Sequence, residues 1–237
     1  MGELVETLAD RVGAGAIRMG TKVHGIERSG SKLRVRVADG DLEADHVVVA
    51  LPAGPAAEVL SPLDDGLSHE LAGIAYVSTA VVTLAYDRAQ ITHPLDAAGF
   101  LVPKSEGRKV TAGTFISSKW EGRAPEGAVL VRGFVGGAHD EDVASLDEER
   151  LIALVASDLR DLLGITGEHR LARVSRYIKS SPQPMVGHFE RVARIRAAAA
   201  GIPGLHVIGN AYDGVGIPDC VRLAEEVAAR IGRAGRS

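Results

Sequence analysis

The sequence predicts an α/β fold in which a parallel-sheet layer, built from both ends of the chain, is interrupted by a mixed or antiparallel sheet with flanking helices. Three observations carry this. Near the start, His46-Val47-Val48-Val49-Ala50 is apolar at every position but its first, the pattern of a parallel strand covered on both faces. Near the end, Leu205-His206-Val207-Ile208-Gly209 reads as a second buried strand, followed by a helical pattern. Between them, residues 78–86, 99–102, 110–116 and 129–135 read as strands separated by turn-rich loops. The predicted boundaries give one discontinuous domain, 1–57 with 202–237, and an inserted domain, 58–201. An interrupted domain of this kind is expected to place a cleft at the junction of its two parts.

Each element has its own signal. Leu4, Val5, Leu8 and Val12 recur at helical spacing, so residues 2–11 form a short amphipathic helix ended by Gly13 and Gly15. Ser29-Gly30-Ser31 is a hairpin turn. Leu33, Val35 and Val37 alternate with Lys32, Arg34 and Arg36, the mark of a half-buried strand, and Ala38-Asp39-Gly40 turns the chain again. Helices follow over 56–60 and 67–74. Asp147 caps a helix running to about residue 163, with Leu151, Val155, Leu159 and Leu163 on its packed side and Gly164 as its stop. Residues 171–177 read as a strand and 191–200 as a helix. The last helix spans 218–231, with Val221, Leu223, Ala224, Val227, Ala228 and Ile231 on its packed side.

Composition excludes several functions. The chain has 237 residues, 46% hydrophobic and 24% charged, with 27 Lys and Arg against 31 Asp and Glu. A net charge of -4 offers no basic surface for a nucleic-acid backbone, and an aromatic content of 4% offers no stacking platform. A single cysteine, Cys220, precludes an intrachain disulfide and a cysteine metal cluster. No run approaches the roughly 20 apolar residues of a membrane span, although peripheral association stays open. No signal pattern opens the chain, and a reducing cytoplasm is the expected address.

The segment Gly209-Asn210-Ala211-Tyr212-Asp213-Gly214-Val215-Gly216-Ile217-Pro218-Asp219-Cys220 is the most informative. A buried strand ends at Gly209, and Pro218 suits a first helical position. Gly214 and Gly216 remove side chains, so a flat or anionic ligand can approach the backbone. The following helix points free N–H groups and the positive end of its dipole at that ligand. A glycine-rich turn with packing duties alone fits the spacing equally well.

This segment resembles the C-terminal flavin-binding motif of the protoporphyrinogen oxidases, in the wider FAD-dependent amine oxidase superfamily. Met1-Gly2-Glu3-Leu4-Val5-Glu6, Thr21-Lys22-Val23-His24-Gly25-Ile26, Gly99-Phe100-Leu101-Val102-Pro103, Lys119-Trp120-Glu121-Gly122-Arg123-Ala124-Pro125 and Val186-Gly187-His188-Phe189-Glu190-Arg191-Val192 are similar to the same family, in order along nearly the whole chain. The G-x-G-x-x-G turn with which family members open is missing; Gly13-Ala14-Gly15-Ala16 follows a helix and lacks the later glycine. The chain is therefore expected to be the C-terminal half of such an enzyme.

The resemblance implies FAD as cofactor. Val23 would meet the adenine through its main chain, and Asn210, Val215, Gly216 and Ile217 would line the isoalloxazine ring. Leu101, Val102 and Trp120 would stand in apolar walls gripping a tetrapyrrole. It further implies oxidation of a porphyrinogen, with oxygen as acceptor, and covers protoporphyrinogen and coproporphyrinogen alike, because the propionate-binding groups would lie largely in the absent half. No catalytic acid, base or nucleophile is implied. Strands 47–50 and 205–208 would lean on a strand outside this chain, which predicts self-association through uncovered sheet surface. The alternative is a non-enzymatic remnant or module that binds a tetrapyrrole or a partner chain without holding FAD.

Other candidates have plainer readings. The eight histidines show no metal-ligand spacing, so no metal is expected. His188 is expected to cap or brace the helix beginning near residue 191. His139-Asp140-Glu141-Asp142 reads as a solvated loop before a helix. Trp120 suits a ligand wall or a core or loop anchor, Cys220 packing beside the cofactor, and Asp213 loop polarity.

Overall fold

The computed structural model describes residues 2–234. In chain order its elements are α1 (Gly2–Val12), β1 (Val23–Ser29), β2 (Lys32–Val37), β3 (Leu42–Ala44), β4 (Val47–Val49), α2 (Ala53–Leu60), α3 (Asp65–Ala72) and β5 (Tyr76–Asp87). Then come β6 (Gly99–Leu101), β7 (Ala112–Phe115), α4 (Ile116–Lys119), β8 (Ala128–Gly136), α5 (Glu148–Leu163), β9 (Leu171–Pro182), α6 (His188–Ala200), β10 (Leu205–Val207) and α7 (Ile217–Ala234). They form two compact units, one from residues up to Ile74 and from Pro184 on, the other from Ala75–Gln183. These boundaries differ from the expected 57/58 and 201/202. Helices α2, α3 and α6 fall in the discontinuous unit because α3 packs on both α2 and α6, and Glu70 of α3 pairs with Arg191 (3.0 Å) and Arg194 (2.7 Å) of α6.

In the discontinuous unit, β1, β2 and β3 make an antiparallel sheet, and β4 pairs in parallel with β10, Leu205 opposite Val47 and Val207 opposite Val49. Gly30, at φ 60°, makes the two-residue turn that sets Ser29 against Lys32. The parallel pairing is as expected; the coverage of β4 is not. Val48 is 41% exposed, and Ala50 and Leu51 are exposed too. The reason is that β10 is the only strand paired with β4 among the described residues. No residue of α1 is buried, so its apolar stripe of Leu4, Val5, Leu8 and Val12 faces outward.

The second unit is a five-stranded antiparallel sheet in the order β6-β7-β8-β5-β9. Helix α5 packs its stripe of Leu151, Val155, Leu159 and Leu163 against Val82, Leu84, Val131 and Val135 on one face. The Asp147 carboxylate accepts from the Arg150 N–H at 2.9 Å, and Gly164 ends the helix at φ 61°. Strand β9 runs on to Pro182, past the expected residue 177, through a register shift opposite Val77 and Thr79. The three-residue β3 is too short to show a sequence period.

Candidate functional site

The strand-to-helix bend after β10 sits in the discontinuous unit. Beyond β10, the Ile208 N–H still donates to Val49 O at 3.0 Å, so the ends of the two parallel strands stay in step. Where they finish and α7 begins, a cleft of about 470 Å³ opens, floored by Ala50, Leu51, Pro52 and Ile208 and flanked by Asn210, Val215, Ile217, Cys220 and Ala224. Three of the four residues expected on the ring, Asn210, Val215 and Ile217, thus line one cavity. Val23 lies in a neighbouring apolar cleft of about 350 Å³ with Ile26, Val35, Val47 and Val59; the two clefts share Ala50 and Leu51.

Gly216 does not line the cleft. A Cβ there would meet the Asp219 carboxylate at 3.1 Å, and one on Gly214 would collide with it. The space freed by the two glycines is therefore occupied by Asp219, a residue of the first turn of α7, rather than left open to a ligand. The positive end of α7 already has a carboxylate beside it, itself 3.8 Å from Arg222. Asp213, expected only as loop polarity, pairs with Arg196 of α6 and so pins the bend.

The lining suits a planar group. It is apolar on most sides, the Asn210 amide supplies a polar contact, and its size falls in the range of small-molecule sites. Ile217, Cys220 and Ala224 project from one face of α7 at i, i+3 and i+7, a pattern legible in the sequence; Leu51 carries no such signal, because it follows the strand rather than belonging to it.

The other expected residues fall in the second unit. Leu101 and Val102 point to opposite sides of the β6 edge: Val102 packs on the core, whereas Leu101 is 84% exposed. Trp120 follows α4 at 44% exposure, with Lys119 Nζ 4.5 Å from its ring centroid. His188 is no cap: Gly187 holds that position at φ 85°, and His188 stands half-buried in the first turn of α6, edge-on to the exposed Phe189. Sequence spacing also missed a histidine pair. His46 Nδ1 and His206 Nε2 lie 3.3 Å apart across β4 and β10, and burial, then His46 and Arg230, push the His206 pKa down. Among the described residues, no group of three or more His, Cys, Asp or Glu is placed to hold a metal ion, and no helix is long and apolar enough to cross a membrane.

The family model described as flavin containing amine oxidoreductase matches residues 1–232. The chain belongs to this family. Among curated members, it is 35% identical over 220 residues to the coproporphyrinogen III oxidase of Bacillus subtilis, covering 92% of this chain and 46% of that protein. It is 28% identical to the chloroplastic protoporphyrinogen oxidase of Nicotiana tabacum, over 96% of this chain and 45% of the relative. This amine oxidoreductase chain thus spans less than half the length of these relatives. A crystal structure provisionally named a protoporphyrinogen oxidase, from Exiguobacterium sp. 255-15, superposes with a TM-score of 0.80 at 32% identity, over 95% of this chain and 50% of that one. A putrescine oxidase shares the fold at 16% identity, with a TM-score of 0.74 over 100% of this chain and 53% of that one. Family membership supplies a flavin as the cofactor class.

Proposed function

We propose that this chain forms the ring-facing part of an FAD-dependent oxidoreductase that converts a porphyrinogen, coproporphyrinogen or protoporphyrinogen, to the porphyrin with oxygen as acceptor, in the cytoplasm. The observation that carries this reading is the cleft at the β10–α7 bend, where Asn210, Val215 and Ile217 converge on a cavity of about 470 Å³ in a chain of the flavin amine oxidoreductase family. FAD would supply hydride acceptance from a porphyrinogen carbon. Ile217, Val215 and Leu51 would exclude water from the ring, and Asn210 would fix its orientation through the amide. Val23, in the adjoining cleft, would meet the adenine end. No acid or base of this chain is assigned a proton transfer.

Incubation of the purified chain with FAD, followed by desalting and supply of coproporphyrinogen III in air, tests the reading. Retained flavin absorbance and porphyrin fluorescence are expected. A colourless chain that still binds a porphyrin would instead support a tetrapyrrole-binding module, a reading favoured by the outward apolar stripe of α1 and the open face of β4. Those same surfaces support self-association.

A further inference from the structure

The parallel strands bring together two histidines that stand 160 residues apart in the chain. Val48 lies opposite His206 in the β4–β10 register, and His46 precedes Val48 by two residues, so all three side chains share one face of the pair. His46 Nδ1 and His206 Nε2 are 3.3 Å apart, with ring centroids 5.4 Å apart and planes tilted by 31°. Both rings are half-buried, and Val48 is 41% exposed, so solvent reaches this face.

A hydrogen bond between the rings is the plain reading of that contact. It is long for one, because N–H hydrogen bonds fall at about 2.7–3.2 Å. The separation matches instead two ligands on one ion. Two Zn–N bonds of about 2.0–2.1 Å at the tetrahedral angle set their nitrogens about 3.3–3.4 Å apart. Ligation needs neutral rings. Burial, then His46 and Arg230, push the His206 pKa down and so favour that form. Arg230 of α7 opposes an added cation; Glu226, one turn earlier on α7 and lining the same cavity as His206 and Arg230, carries the opposite charge. Among the described residues, no third His, Cys, Asp or Glu completes the set.

We infer that His46 and His206 hold a single zinc ion that clasps β4 to β10, with water in its remaining positions. Imidazole nitrogens suit zinc, and also copper and nickel, but not the oxygen-seeking magnesium or calcium. The clasp sits near the start of the paired strands, whereas the flavin cleft opens where they end, so it stands independently of the oxidase reading. By joining distant segments of the folded chain, the ion stabilises the parallel pair.

Labelling of the full chain with diethyl pyrocarbonate, mapped by peptide mass spectrometry with and without zinc chloride, tests this without any substitution. Zinc is expected to protect His46 and His206 together, ahead of the other histidines, and magnesium chloride to protect neither. Calorimetric titration with zinc chloride should show binding weakened at least roughly tenfold by His46→Ala and by His206→Ala alike. Zinc should also raise the urea midpoint of the parent chain and of neither variant, with circular dichroism checking the fold of each. Labelling of the two histidines that saturating zinc leaves unchanged, or an affinity that survives either substitution, overturns the site.

Discussion

Lys179 Nζ lies 2.8 Å from the Glu141 carboxylate, and that contact clamps a strained point of β9. Lys179 has φ 45°, a left-handed conformation that a lysine rarely adopts, just where the β5–β9 register shifts. Glu141 also accepts from the Ser78 N–H at 2.8 Å, and Ser78 Oγ accepts from the Lys179 N–H at 2.9 Å. Lys179, and then Ser78, hold the Glu141 carboxyl down to about 2. A carboxyl whose folded value lies below its unfolded value stabilises the fold above the ordinary 4.5 and loses that contribution as the pH falls toward 2. Glu141→Gln should therefore unfold more readily at neutral pH and show a shallower loss of stability through this acid window. Urea melts at a series of pH values check it; parallel curves for the two proteins would remove the clamp.

Gly133 is required by packing rather than by its backbone conformation. A methyl group there would stand 2.5 Å from Val155 Cγ1 in a core otherwise closed. Gly133→Ala should destabilise the protein by about 1–3 kcal/mol, and Val155→Ala in the same chain should recover part of that loss, because the two changes share one space. A chemical-denaturation double-mutant cycle measures the coupling, and additive effects would show that α5 shifts freely.

The outward stripe of α1 predicts self-association. Leu4, Val5, Leu8 and Val12 stand exposed along a single helix, and Val48 and Leu51 are exposed on the β4 side. Leu4→Ser with Leu8→Ser should lower the weight-average sedimentation coefficient at high concentration without changing the helical spectrum. A strictly monomeric parent chain would contradict this.

The two halves of the fold were legible to different degrees. The alternation of β5 and β8 and the Asp147-to-Gly164 bounds of α5 are written locally, in side-chain period and cap chemistry, and sequence reading recovers them. The exposure of Val48 is not, because a strand's coverage depends on neighbours elsewhere. At the site, the grouping of Asn210, Val215 and Ile217 followed from a motif resemblance confined to one segment. The occupation of the glycine space by Asp219 did not, since it depends on a rotamer in the first turn of α7. The His46–His206 pair was invisible because strand register joins residues far apart in the chain.

Titration of FAD into the full chain, followed by quenching of flavin fluorescence, with Ile217→Asp alongside, bears most directly on the β10–α7 cleft. Saturable quenching by the parent chain is expected, with at least roughly tenfold weaker binding by the variant, whose carboxylate would face an apolar ring. Absence of quenching, or equal affinity in the two proteins, would contradict a flavin seat at this bend.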